Sequence, residues 1–146
     1  MRAPDNIRLN SIQEQLLHRL VLQLQKDIPG LFAVYRFGSW GTTAERADSD
    51  IDLAVLATIP MESVQRWELA QQLAAIAGRN VDLVELSAAS AVMRAQVVAQ
   101  GERAFCADET RCSEFEDFVY SDYARLNEER RAILDDIRER GSVYDR

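Results

Sequence analysis

The chain has two cysteines, one histidine and no apolar run approaching a membrane span. Each shortage excludes something. A structural zinc site wants four closely spaced ligands, and Cys106, Cys112 and His18 cannot supply them. Two cysteines in a reducing compartment read as free thiols rather than a disulfide. A single histidine, set in a leucine-rich helix, reads as a rim side chain and removes Ser-His-Asp and Cys-His catalysis. Cations are also scarce. Lys plus Arg is 17 against 24 for Asp plus Glu, a net charge of −7. That balance argues against direct binding of nucleic-acid backbones, which needs clustered cations, and against docking on anionic membranes. It does not exclude nucleotides, because a bound metal inverts the local field. The first ten residues are polar, with no signal core, so the chain reads as cytoplasmic. There is no internal repeat and no low-complexity linker.

What is present suits one domain with a tail. The chain has 146 residues, 47% of them hydrophobic, enough for one real core. Ile12, Leu16, Leu20 and Leu24, flanked by Leu17 and Val21, recur at helical spacing and predict a helix over Ser11–Asp27, stopped by Pro29-Gly30. Leu31–Phe37 (LFAVYRF) and Ile51–Ala57 (IDLAVLA) read as strands, with a polar, turn-rich stretch between them. A helix begins at Pro60, striped by Val64, Trp67, Ala70, Leu73, Ala74 and Ala77, and stops at Gly78. Val81–Leu86 predicts a third strand, Ala89–Gln100 a short helix, and Ala104–Cys106 a brief fourth strand. From Ser113 the pattern is one long helix with Phe115, Phe118, Val119, Leu126, Ile133 and Ile137 near one stripe. That stripe is either a seam on the core or a docking arm for a partner. The division is 1–110 for the main domain and 111–146 for a C-terminal helical extension.

The informative stretch is Phe37–Leu53, FGSWGTTAERADSDIDL. Gly38-Ser39 ends an apolar strand in a tight turn. Glycine permits a close backbone approach, and serine adds a hydroxyl and backbone N–H groups at a helix start, which suits a phosphate. Ten residues on comes Asp50-Ile51-Asp52. In a strand, residues two apart share a side, so both carboxylates converge while Ile51 and Leu53 enter the core. Like charges so placed raise one pKa unless a cation lies between them. Magnesium, which takes oxygen ligands and substrate phosphates, fits that need. Asp82, the polar interruption of the third strand, supplies a third carboxylate if that strand lies alongside. Glu85 is the fallback, but it faces the other way in an alternating strand. Three carboxylates suit two magnesium ions and an in-line nucleotidyl transfer, with attack at the α-phosphate and loss of pyrophosphate.

Phe37-Gly38-Ser39, the ten-residue spacer and Asp50-Ile51-Asp52-Leu53 resemble the pattern of the DNA polymerase β-like nucleotidyltransferase superfamily. More narrowly, the short chain resembles the minimal nucleotidyltransferase (MNT) antitoxins of HEPN–MNT toxin–antitoxin pairs. The resemblance covers about Ser11–Cys106. It implies an α+β fold, a small mixed sheet of three to four strands flanked by helices, packed on one side, with a long C-terminal helix. It implies that Asp50, Asp52 and Asp82 hold magnesium, with Asp82 also helping to deprotonate the attacking hydroxyl, and that Gly38 and Ser39 bind the triphosphate. It further implies ATP as co-substrate and transfer of AMP to a tyrosine of a HEPN ribonuclease toxin. Many relatives carry an arginine after Gly-Ser, where this chain has Trp40. The phosphate-contacting cation then falls to Arg46 in the spacer, or to Arg36, and Trp40 either stacks on the base or covers the loop. Two other readings compete: a binding-only antitoxin that plugs its toxin with the C-terminal helix, and a small-molecule nucleotidyltransferase, for which there is little room. The acidic exterior is expected to favour a basic partner.

Overall fold

The computed structural model describes residues 9–140. The elements run α1 (Ser11–Asp27), β1 (Leu31–Phe37), β2 (Ile51–Ala57), α2 (Ser63–Ala77), β3 (Val81–Glu85), a single 3₁₀ turn (Leu86–Ala88), α3 (Ala91–Gln100), β4 (Glu102–Cys106) and α4 (Glu109–Glu139). The first helix and first two strands coincide with the reading from sequence, because each has its own local signals. Asn10 and Gln13 close a reciprocal capping box at the start of α1.

Four later elements begin elsewhere than the pattern suggests: α3 starts at Ala91 rather than Ala89, capped by Ser90, which accepts from the Met93 amide, and three others each move for a polar reason. The second helix starts at Ser63 rather than Pro60, since the Met61 amide is drawn away to donate to Glu85 Oε1 at 3.0 Å. The fourth strand reaches back to Glu102, because an edge strand tolerates the polar pair Glu102-Arg103. The last helix starts at Glu109, capped by Asp108, which accepts from the Arg111 amide.

The four strands lie in the order β3-β2-β1-β4. Strand β1 is antiparallel to both β2 and β4, while β2 and β3 are parallel, joined by the α2 crossover. This mixed sheet is the α+β arrangement expected. Helices cover both faces, however, rather than one side. Leu20, Leu24 and Leu73 of α1 and α2 pack with Val34, Leu53, Leu83 and Trp40 on one face. Val97 and Val98 of α3 and Cys112 and Val119 of α4 pack with Tyr35, Ala54 and Leu56 on the other. Strands β1 and β2, buried on both faces, therefore read as continuous apolar runs in sequence.

Periodicity overestimated three stripes. Ile12 on α1 is 78% exposed, and Val64 and Trp67 on α2 are 67% and 64% exposed. On α4 only Cys112 and Val119 are buried, and Phe118, Ile133, Leu134 and Ile137 are exposed. The root of α4 is tied down by Glu116, whose Oε2 accepts from Tyr35 Oη at 2.6 Å and Arg103 Nη1 at 3.3 Å.

Leu53, fully buried in the central strand, is expected to cost about 2–5 kcal/mol on truncation to alanine. Ile12→Ala is expected to stay within about 0.5 kcal/mol. Urea denaturation of the two variants checks the contrast.

Candidate functional site

The sheet brings two of the predicted carboxylates together at one level. Asp52 on β2 is the register partner of Asp82 on β3, and across the other edge of β2 it faces Phe37 at the end of β1. Alternation along β2 and β3 turns Asp52 and Asp82 toward the face occupied by Ala54, Leu56 and Val84, which is the α3–α4 face. Asp82 is exposed on its edge strand, and Asp52 is partly buried. Asp50 lies just before β2 and is exposed.

Electrostatics at Asp52 follow from that placement. Burial, then the charges of Asp82 and Asp50, push its carboxyl up to about 6, against a smaller opposing pull from Arg36. No group of three Asp, Glu, His or Cys side chains among the described residues is arranged to hold a metal ion as it stands. The donor set nevertheless suits a hard cation. It is oxygen-only, it is crowded with like charge, and the nearest cation is turned away from it.

That cation is Arg36. Its side chain is fully buried, and Nη1 donates to the Trp40 carbonyl at 2.6 Å, with longer contacts to the carbonyls of Phe37 and Gly38. Burial lowers its pKa. Arg36 thus clamps the turn from beneath and is not presented to a phosphate. Trp40 is 1% exposed within the α1–α2 core, so it covers the loop and does not meet a base.

The turn itself depends on Gly38. It has φ +77°, and a Cβ there would collide with Asp52 Oδ2. The backbone of the turn therefore lies directly on the carboxylate. No helix starts here, contrary to the sequence reading; residues 38–50 form an irregular loop held by side chains. Ser39 Oγ and Ser49 Oγ lie 3.0 Å apart, and Ser49 Oγ accepts from the Arg46 amide at 2.8 Å. Glu45 Oε1 accepts from the Gly41 amide and from Gln13 Nε2, bonds that hold its carboxyl below the ordinary range. Arg46 is exposed in the same loop. Glu85 is occupied with the Met61 amide, and His18 is an exposed rim residue, as expected.

A cavity of about 530 Å³ opens against this turn. Gly38, Ser39 and Thr42 line it from the loop, and Met93, Gln96 and Gln100 from α3. The volume falls in the range of small-molecule sites, with an apolar floor and a few polar groups. Sequence reasoning missed Gln96 and Gln100. Their signal was present, as two amides one helical turn apart in a helix apolar but for Arg94, but nothing in sequence places α3 over the turn. Ser49 and Glu45 were missed because both act only by closing the loop.

Residues 19–110 match the family described as polymerase beta, nucleotidyltransferase. The chain is 40% identical over 125 residues to the protein adenylyltransferase MntA of Shewanella oneidensis, covering 85% of this chain and 89% of that one. Among solved structures, it superposes with TM-score 0.75 and 39% identity on a chain of a toxin–antitoxin structure with AMP-PNP, over 83% of this chain and 97% of that one. It superposes with TM-score 0.73 and 38% identity on a chain from a tri-AMPylated Shewanella oneidensis HEPN toxin in complex with MNT antitoxin, over 86% and 98%. No helix among the described residues is long and apolar enough to cross a membrane. A glycine turn seated on an Asp-x-Asp strand, with a further aspartate in register alongside, is thus found in a chain that belongs to the polymerase beta nucleotidyltransferase family.

Proposed function

We propose that this chain is a cytoplasmic protein adenylyltransferase, the antitoxin of a toxin–antitoxin pair, which transfers AMP from ATP to a tyrosine of a HEPN ribonuclease and so silences it. The observation that carries the reading is the Gly38 turn pressed onto Asp52, with Asp82 beside it and an open cavity at the turn. The identity to MntA and the likeness to complexes of MNT antitoxin with HEPN toxin support the choice of substrate.

In this reading Asp50, Asp52 and Asp82 hold magnesium, two ions suiting three carboxylates. When bound, the metal neutralises the carboxylates and withdraws charge from the phosphates. Gly38 and Ser39 present backbone N–H groups and a hydroxyl to the triphosphate, and Arg46 supplies a cation from the loop. The cavity floor and the amides of Gln96 and Gln100 receive the nucleoside. The acceptor oxygen attacks the α-phosphorus, the bond to the bridging oxygen breaks, and pyrophosphate leaves. Asp82, exposed on the edge strand, takes the hydroxyl proton. The extension 111–146 contacts the partner through Phe118, Ile133, Leu134 and Ile137, which lie exposed on α4. The last six residues of that extension lie outside the described residues.

Those same exposed residues favour a second reading, in which docking alone neutralises the toxin. The two separate cleanly. Asp52→Asn is expected to lower transfer of labelled adenylate to a co-expressed HEPN partner by at least about 100-fold, since even outer-shell changes at metal sites cost 10–100-fold. If Asp52→Asn still protects cells while shortening α4 does not, docking is the mechanism.

Gly38→Ala is expected to cost about 100-fold in transfer, because the added Cβ displaces the carboxylate or the turn. Its circular dichroism should match the parent.

The raised pKa of Asp52 makes a further prediction without activity. A carboxyl whose folded pKa lies above its unfolded value stabilises the fold only at low pH, and loses that contribution as pH rises through about 6. Asp52→Asn is therefore expected to stabilise the metal-free protein at pH 7 by about 1 kcal/mol, after discounting for solvent screening. It should also abolish stabilisation by added magnesium in thermal melts. A variant melting below the parent, or still stabilised by magnesium, overturns the role given to Asp52.

A further inference from the structure

The two cysteines take no part in the transferase site, yet the fold brings them together. Cys106 ends β4 and Cys112 lies in the first turn of α4, and their Sγ atoms are 2.6 Å apart, both as free thiols. That is inside the ordinary separation of non-bonded sulfurs and about half an ångström beyond a disulfide bond length.

Their surroundings differ in a way that assigns each a part. Cys106 is half-buried. Beyond Cys106 along the chain, Arg103 Nη2 holds both oxygens of the Glu109 carboxylate, at 2.7 and 2.9 Å. Of the two sulfurs, Cys106 is therefore the one less enclosed by protein and the first met by a reagent from solution. Cys112 is fully buried, and burial pushes its thiol up, so it is not itself a target for reagents from solution. Its Sγ points back at the sheet, donating to the Phe32 carbonyl at 3.6 Å.

We propose that Cys106 and Cys112 form a peroxide-reactive dithiol site that closes to an intramolecular disulfide between β4 and the root of α4. Cys106 sulfur attacks one peroxide oxygen, the O–O bond breaks, and the sulfur is oxidised to sulfenic acid while its proton leaves with the other oxygen as water. Cys112 sulfur then attacks the sulfenic sulfur, the S–O bond breaks, and a second water leaves with the Cys112 proton. The two thiols lose two electrons and two hydrogens, and the peroxide becomes two waters. A dithiol reductant reverses the change. The bond would fasten α4 at the point where it leaves the sheet, next to the Glu116 contacts that already hold it.

The test uses the full chain treated with stoichiometric hydrogen peroxide. Trypsin cuts after Arg103, Arg111 and Arg125, so the disulfide joins peptides 104–111 and 112–125 in a non-reducing digest. The joined pair is expected, with both thiols lost together and recovered with dithiothreitol. In Cys112→Ser, Cys106 should accumulate as a sulfenic acid trapped by dimedone. In Cys106→Ser, Cys112 should be oxidised at least about tenfold more slowly than Cys106 is in the parent. Separate oxidation of the two thiols with no joined peptides, covalent dimers in place of the internal link, or equal reactivity of Cys112 without Cys106 would each overturn the proposal. Circular dichroism of both serine variants checks that the fold is intact.

Discussion

The carboxylate of Asp52 occupies the space that any side chain at position 38 would need. Much of the site's architecture follows from that contact. For the backbone at Gly38 to lie on the carboxylate, β1 must end there with a positive φ, and β2 must begin opposite it, as the pairing of Phe37 with Asp52 records. The parallel addition of β3 then sets Asp82 at the level of Asp52. Two acids are thereby held on rigid strands, with the glycine turn at the start of the loop laid against one of them.

Such a cluster works against its own stability. Burial of Asp52, and then the charges of Asp82 and Asp50 beside it, raise its proton affinity. Their nearest cation is spent on the backbone beneath the turn, where Arg36 holds the carbonyl of Trp40. The guanidinium keeps Nε and Nη2 buried without partners among the described residues, which is itself costly. Both features are local penalties accepted by a fold whose two apolar layers, one on each face of the sheet, supply the stability. Local strain of this kind is supported by the surrounding core.

The loop between β1 and β2 follows a different logic. It has little apolar content and is fixed by hydrogen bonds: Ser39 to Ser49, Glu45 to the Gly41 amide, and Arg79 to the Ser49 carbonyl at 2.9 Å. These bonds join residues that no periodic pattern links. They explain why Gly38, Ser39, Asp50, Asp52 and Asp82 were legible in sequence while Ser49, Glu45, Gln96 and Gln100 were not. The first set forms a motif of particular residue types at particular spacings. The second set has meaning only through what it touches. Cys106 and Cys112 belong with the second set, since six residues of sequence separation say nothing about a strand end meeting a helix start.

Sequence by itself determined the helices and strands that carry their own caps and runs, the Asp-x-Asp strand, and the glycine turn before it. It did so because local hydrogen bonding, side-chain alternation and glycine's tolerance of positive φ act over a few residues. The tertiary structure decided the rest. It put helices on both faces of the sheet, exposed Ile12, Val64, Trp67 and the distal apolar residues of α4, and buried Arg36 and Trp40 beneath the turn. It also set Asp82 level with Asp52 and α3 over the cavity. Periodicity reports that a face is apolar, but burial depends on what lies opposite, and that is fixed only when the strands choose their order.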